Sequence, residues 1–275
     1  MLTGVFGHPP LLFRDEEGLG SRASVFVAGN PEQVRRTLAA DPELARFIET
    51  NVITYPAGQT TMATDDWPFL YHRGRYIPRI YLIFSILLAA TAVLFTGRYL
   101  AGGAGRHWHF FFLGAAFLLL EVQIVSRLAL FFGTTWIVNS IVISGVMIMI
   151  LLSNFVAERW PKPGYGLLYL MLLLSILLIY VIPLERLFLK SELAKGFVAG
   201  GLFCLPVFFA GLIFITSFRT TPEKDAAFGT NILGAILGGF LEAVSFISGM
   251  RFLLLLAAGL YLLSAAALPR RRRTP

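Results

Sequence analysis

Polar and charged residues interrupt one of the most apolar stretches of the chain, and these residues could do chemistry. The run from Phe110 to Phe132 contains Glu121, Gln123 and Arg127 among residues that are mostly apolar. An ionised side chain near the centre of a bilayer costs at least about 2.5–3.5 kcal/mol on insertion scales. We therefore expect these groups to be paired inside the protein, to be neutral, or to belong to a path for protons or a substrate.

A later apolar stretch places Asn231, Gly234, Gly238 and Glu242 at a spacing that returns to within about 20° of its starting direction on an α-helix. These residues therefore form one stripe. Gly234 and Gly238, together with Gly239, allow a neighbouring helix backbone to come close. We expect the glycines to form a helix contact, and Asn231 and Glu242 to face the partner helix.

Glu121 and Arg127 are poorly placed to pair with each other. On one helix they are separated by about 9 Å along the axis and about 120° around it. Each should find partners on other helices, and Asn139, Asn154 and Glu242 are the candidates. One interpretation is that these polar side chains hold helices together, and the alternative is a path for protons or a substrate through the bundle.

Two histidines, His107 and His109, stand just before the Phe110–Phe132 run. Because they are two residues apart, they should lie on nearly opposite sides of a helix, and we expect no metal site there. No histidine lies within a predicted span, which argues against haem ligation by two histidines in the bilayer.

Asp65 and Asp66 are adjacent carboxylates, followed by Trp67 and Pro68. Adjacent side chains point in different directions, so their spacing alone does not predict a general acid–base pair. We interpret the four residues as a turn where the chain approaches the membrane, with Trp67 as an aromatic anchor at the interface.

The composition places these residues in a membrane protein. The chain has 275 residues, of which 56% are hydrophobic and 14% charged, against about 45–50% and about 25% in soluble domains. A membrane-spanning helix needs about 20 predominantly apolar residues. We predict an all-α integral membrane protein whose helical domain occupies residues 77–268. Its seven predicted spans are 78–97, 110–132, 137–156, 165–183, 196–218, 226–246 and 250–268.

Residues 1–76 form a small soluble segment of α/β character. We expect residues 1–23 to be irregular, a strand at 24–29, and helices at 31–40 and about 42–50. Asn30 and Asp41, each followed by proline, are typical of helix N-termini.

The net charge of +7 has its largest cluster, Arg270–Arg273, in the tail 269–275. Such a cluster beside a helix end indicates topology and contact with anionic lipids, and nucleic-acid binding is not expected. Basic residues flank both ends of the helices and do not decide the orientation. Because no signal peptide is visible, we expect the N-terminus in the cytoplasm.

Four stretches resemble membrane-bound spermidine synthase-like proteins, and we expect the chain itself in the bacterial cytoplasmic membrane. FFLGAAFLLLEVQIVSRLALFFGTTWIVNSIVISGVMIMILLSNFVAER and FGTNILGAILGGFLE resemble the helical region of that family. SVFVAGNPE and ATDDWPFLY resemble the end of its S-adenosylmethionine-type domain, a Rossmann-like fold, and the link into the membrane. The resemblance implies aminopropyl or methyl transfer beside a helical membrane domain.

The chain departs from the family in its soluble part, where the glycine-rich cofactor loop, the acidic ribose-binding residue and the catalytic segment have no counterpart. We therefore expect no catalytic residue, and S-adenosylmethionine only if a partner supplies the missing domain. The expected function is a non-catalytic membrane domain or accessory subunit that serves a protein partner. The alternatives are a small transporter or proton-coupled permease that uses Glu121 and Glu242, and a structural subunit of a membrane complex.

Overall fold

The computed structural model describes residues 2–14, 24–53, 61, 63–69, 72–100, 107–132, 136–160, 163–182 and 192–268. The chain divides into two compact units. The first comprises Met1–Thr64 and Pro68–Gly74, and the second comprises Asp65–Trp67 and Arg75–Pro275.

The first unit is a small α/β module. Its elements are helix α1 (Leu2–Phe6), strands β1 (Leu11–Arg14) and β2 (Ser24–Val27), and helices α2 (Pro31–Ala40) and α3 (Pro42–Asn51). The strands pair antiparallel, with Leu11 opposite Val27. The expectation that residues 1–23 are irregular was wrong for α1 and β1, because elements this short carry too few residues to show a periodic pattern.

Helices α2 and α3 begin where their capping residues predict. The Asn30 side chain accepts a hydrogen bond from the Glu32 amide at 3.0 Å. Asp41 accepts from the amides of Glu43 and Leu44 at 3.1 and 3.0 Å. These bonds satisfy amide groups that have no partner inside the first turn of a helix.

The second unit consists of apolar helices that lie at the seven predicted positions. A 3₁₀ turn, Glu242–Val244, separates α9 from α10, where the sequence predicted one continuous helix. The helices are α4 (Arg79–Leu100), α5 (Trp108–Phe132), α6 (Trp136–Arg159), α7 (Tyr165–Val181), α8 (Glu192–Thr220), α9 (Lys224–Leu241), α10 (Ser245–Ser248) and α11 (Met250–Ala266).

Four stretches of helix in the described part of the chain are long and apolar enough to cross a membrane. They are Trp108–Ala129, Val142–Arg159, Val198–Thr220 and Lys224–Ser248, while Arg79–Ala92, Tyr165–Val181 and Met250–Ala266 are shorter apolar helices. The predicted all-α class is thus confirmed, and the four helices of spanning length among the described residues are compatible with a membrane protein.

Helix α5 is the most enclosed of these four. In the apolar stretch of α5, 56% of the residues are buried inside the protein. The corresponding share is 44% for α8, 33% for the α9–α10 stretch and 22% for α6. Leu113, Ala116, Leu120 and Ile124 on α5 are almost completely inaccessible to solvent. The helix that carries Glu121 therefore lies inside the bundle.

Candidate functional site

Helices α5 and α9 run in the same direction with their backbones in contact. A Cβ atom on Gly234 would overlap the carbonyl group of Phe111, and a Cβ atom on Gly238 would overlap that of Ala115. Phe111 and Ala115 are four residues apart on α5, and Gly234 and Gly238 are four residues apart on α9. The two helices therefore stay aligned from one contact to the next. The absence of side chains on Gly234 and Gly238 makes this approach possible.

Gly114 on α5 and Asn231 on α9 belong to the same helix contact. A Cβ atom on Gly114 would overlap the Asn231 carbonyl, and the Asn231 amide donates a 3.0 Å hydrogen bond to the Phe110 carbonyl. The structure thus places Asn231, Gly234 and Gly238 against one partner, α5. Gly239 lies beside them, where an added Cβ atom would stand 3.2 Å from the Leu118 side chain.

This register brings Glu121 and Glu242 to the same level of the bundle. Glu121 follows Ala115 by six residues on α5, and Glu242 follows Gly238 by four residues at the end of α9, so the two positions differ by only about 3 Å along the helix axes. Both side chains are half-buried. Neither carboxylate forms a hydrogen bond or ion pair with the residues that the structure describes. Such carboxylates can take up a proton or a cation.

A cavity of about 610 Å³ lies between α4 and α9 and reaches Leu118 on α5. Its lining is apolar except for Tyr81 and Ser85 of α4. The cavity therefore offers an apolar volume with one polar end.

Arg127 bonds to a main-chain carbonyl, and among the described residues it has no hydrogen bond to Asn154 or Glu242, two of the partners predicted for it. Its guanidinium donates a 3.0 Å hydrogen bond to the Ile179 carbonyl near the C-terminus of α7, where the helix leaves carbonyl groups without intrahelical partners. The side chain is only 5% exposed. Sequence reasoning considered polar side chains as partners and overlooked main-chain carbonyls at helix ends.

Gln123 is completely buried, and neither its amide nitrogen nor its amide oxygen has a partner among the described residues. Asn154, predicted to face the bundle, is exposed on α6 instead. The Asn139 side chain lies outside the described residues. The polar residues of the apolar stretches are therefore not gathered into one network in the described structure.

The Asp65–Pro68 segment has a different role from the one predicted. Trp67 is completely buried, and its indole nitrogen donates a 2.8 Å hydrogen bond to the Phe246 carbonyl. The interpretation of Trp67 as an interfacial anchor was wrong, since sequence cannot distinguish an aromatic at the interface from one in the core. Asp66 also joins this segment to the bundle. Its main-chain carbonyl accepts a 2.6 Å hydrogen bond from the Met250 amide, and its carboxylate accepts a 2.7 Å hydrogen bond from the Arg251 amide.

Asp66 therefore caps the N-terminus of α11 from a distant part of the sequence. Gly249, just before α11, has a φ of 93°, a conformation that favours glycine. A Cβ atom there would come within 2.5 Å of the Asp66 carboxylate. The Asp66 carboxylate is thus engaged in helix capping.

The two histidines face different helices, in line with their spacing. His107 contacts Glu223, with 3.0 Å between Nε2 and Oε2. His109 lies within the apolar stretch Trp108–Ala129, which begins two residues before the predicted span 110–132, so the expectation of no histidine within a span was wrong. The described residues contain no group of three or more potential metal ligands.

His109 belongs to a buried polar cluster that sequence reasoning missed. Its Nδ1–H donates to the Ser264 carbonyl at 3.0 Å, and the Ser264 hydroxyl donates to the His109 carbonyl at 2.9 Å. Tyr169 lies 2.9 Å from the Ser264 hydroxyl. The cluster joins α5, α7 and α11. No sequence signal marked Ser264 or Tyr169, because a serine or tyrosine in an apolar helix is common.

Comparison of the chain with protein-family models, with curated proteins and with solved structures gave no match.

Proposed function

We propose that the chain crosses the bilayer seven times and serves as the membrane domain of a spermidine synthase-like system, without transfer activity of its own. The four helices of spanning length support its insertion in a membrane. Helices α7 and α11 have 17 residues each, which is the lower end of the range of about 17–25 for a crossing helix.

The observation that carries the proposal is the way Asp65–Trp67 is built into the helix bundle. The link that resembles the end of a transferase domain is held by Trp67 and Asp66 against the α10–α11 region. Because its carboxylate caps a helix, Asp66 serves to attach this link to the bundle. An accessory domain that holds a catalytic partner at the membrane surface needs such a fixed attachment.

We further propose the bacterial cytoplasmic membrane as its location, with the N-terminus on the cytoplasmic side. The basic tail, residues 269–275, would contact anionic headgroups, and its arginines support this part of the proposal.

The proposal is tested by native purification of the full chain in a mild detergent, followed by mass spectrometry. A stoichiometric transferase partner is the expected result. Calorimetric titration of the isolated chain with S-adenosylmethionine, with heat-denatured chain as the control, should give no binding. Micromolar binding by the isolated chain would contradict the proposal, and a complex without any transferase would favour a structural subunit.

A second candidate function is transport of a proton or a small cation, favoured by the common level of Glu121 and Glu242 beside an apolar cavity. Parallel packing of α5 and α9 puts two half-buried carboxylates at similar depths of the bundle, and neither has a hydrogen bond or ion pair with a described residue. Carboxylates in such places often belong to proton or ion paths.

Flux into proteoliposomes, compared between the parent chain and Glu121→Gln or Glu242→Gln, tests this candidate. Both variants should abolish flux while the purified protein remains folded. Glu158→Gln is the matched control, since Glu158 is exposed near the end of α6 and should retain full flux. Undiminished flux in both carboxylate variants would contradict a transport role for them.

A further inference from the structure

The cavity between α4 and α9 is a groove that follows both helices for about two turns. Its wall on α4 extends from Ile80 to Leu88, and its wall on α9 extends from Ile232 to Phe240. Each wall covers about 12 Å at the rise of an α-helix. The groove is therefore elongated along the helix axes, as a site for an extended chain must be.

Small side chains give the groove its depth. Ser85 on α4 and Ala235 and Gly239 on α9 lie among its lining residues, between leucine, isoleucine and phenylalanine side chains. Its volume of about 610 Å³ falls within the range of about 300–1,000 Å³ that is typical of small-molecule sites. Because the lining is apolar apart from two hydroxyl groups, the groove suits a hydrocarbon.

The groove opens toward the surroundings of the bundle. Ile80, Phe84 and Leu88, which line it on α4, are 57, 62 and 51% exposed. In a chain that spans the bilayer, the exposed face of such an apolar helix meets lipid, so an occupant enters the groove sideways from the membrane. The apolar molecules present there are lipid chains.

Two arginines belong to the end of the groove where α4 begins. Arg79 is the first residue of α4 and directly precedes the groove wall. Arg75 donates a 3.4 Å hydrogen bond to the Ile247 carbonyl. The residue before Ile247, Phe246, packs its ring against that of Tyr81 in the groove, with 5.1 Å between the ring centroids. The polar end of the groove thus carries positive charge.

Both arginines are exposed, and neither forms an ion pair with a residue that the structure describes. The Asp66 carboxylate, at the same end of the bundle, accepts a hydrogen bond from the Arg251 amide instead. A guanidinium group presents five N–H donors in a planar fork that matches a phosphate group. Where an apolar helix begins, the phosphates at hand are those of lipid headgroups.

We propose that the groove holds one acyl chain of a membrane phospholipid, whose phosphate lies at Arg75 and Arg79. The apolar walls contact the chain, and the guanidinium groups donate hydrogen bonds to phosphate oxygens. The lipid fills the space between α4 and α9 and so holds α4 against the bundle. This inference rests on the membrane insertion in the proposed function, and it requires neither a transferase partner nor a transport role.

Native mass spectrometry of the full chain in a mild detergent, titrated with phosphatidylglycerol, tests the groove. The parent chain should hold one lipid tightly, and Ala235→Phe, which fills the groove, should lose it. Ala226→Phe makes the same change at an exposed position of α9 outside the groove and should retain the lipid. Thermal unfolding reports whether each variant is folded, and Ser85→Leu replaces Ala235→Phe if that variant is not. Lipid binding that a folded groove-filling variant leaves unchanged would overturn the proposal.

The phosphate contact is tested by Arg79→Gln, an exposed change that leaves the groove intact. It should raise the dissociation constant for phosphatidylglycerol about fivefold, since an arginine near the headgroups contributes about 1 kcal/mol. Binding of diacylglycerol, which has no phosphate, should not change. Arg159→Gln, at the exposed end of α6, is the matched control and should bind both lipids as the parent does. An unchanged constant for phosphatidylglycerol in Arg79→Gln would refute the role of the arginine.

Extraction of membranes with alkaline carbonate separates this inference from the proposed function. A chain that resists extraction but holds no lipid would overturn the lipid site alone. A chain that holds the lipid but purifies without a transferase would contradict the proposed function and support the site. A chain that carbonate extracts would overturn both.

Discussion

The indole nitrogen of Trp67 donates a 2.8 Å hydrogen bond to the main-chain carbonyl of Phe246, which lies 179 residues later in the sequence. Both residues are buried. The segment that leads into the membrane is therefore part of the bundle core, and its loss should affect the stability of the helical unit.

Replacing Trp67 tests this relationship. Trp67→Phe leaves the Phe246 carbonyl without its donor and should lower the free energy of unfolding by about 1–3 kcal/mol. Trp67→Ala also leaves a cavity, and a loss of about 3–5 kcal/mol is expected. Unfolding in mixed micelles measures both. Trp108→Phe, at an exposed position on α5, should change little, and an equal effect at Trp108 would contradict the assignment.

The α5–α9 contact predicts opposite outcomes for two glycines on the same helix. Gly234→Ala forces a Cβ atom against the Phe111 carbonyl and should destabilise the protein by about 1–3 kcal/mol. Gly229 has no atom within 4 Å of an added Cβ. Gly229→Ala should therefore be neutral or stabilising by up to about 1 kcal/mol, because alanine favours the helix. Equal effects at both positions would argue against close backbone packing.

Ser264 should be important for joining three helices. Ser264→Ala removes the hydroxyl that contacts both His109 and Tyr169, and the buried groups left unpaired should cost about 1–3 kcal/mol. The control is Ser248→Ala, since the hydrogen bond of the Ser248 hydroxyl in the described structure is to the Val244 carbonyl, four residues earlier. Unfolding midpoints that fall equally in both variants would count against the cluster.

Gln123 gives a prediction of opposite sign. Its amide is buried without a partner among the described residues, so Gln123→Met should raise the free energy of unfolding by about 1–3 kcal/mol. Gln123→Asn keeps an amide at the site and should not be stabilising. A loss of stability in Gln123→Met would show that the amide is bonded, for example to a buried water molecule. Flux assays on the same variant would show whether this amide is retained for transport.

Much of the secondary structure could be predicted from local sequence. Long apolar runs mark the helices, and Asn30 and Asp41 mark the starts of α2 and α3, because capping depends on neighbouring residues. The spacing of Gly234 and Gly238 also predicted a close helix contact. Which helix they contact, α5, could not be predicted, since glycines allow any backbone to approach.

Local sequence is enough to locate the apolar helices and the side chains that interrupt them, because hydropathy is a property of each segment alone. The directions in which those side chains point depend on the tertiary structure. It turned Asn154 outward, enclosed Trp67, and paired Arg127 with a main-chain carbonyl of α7. In a soluble helix the apolar stripe identifies the inner face, whereas a helix in lipid is apolar on all sides. The direction of each polar residue is therefore set by packing between helices, which the order of residues along one helix does not reveal.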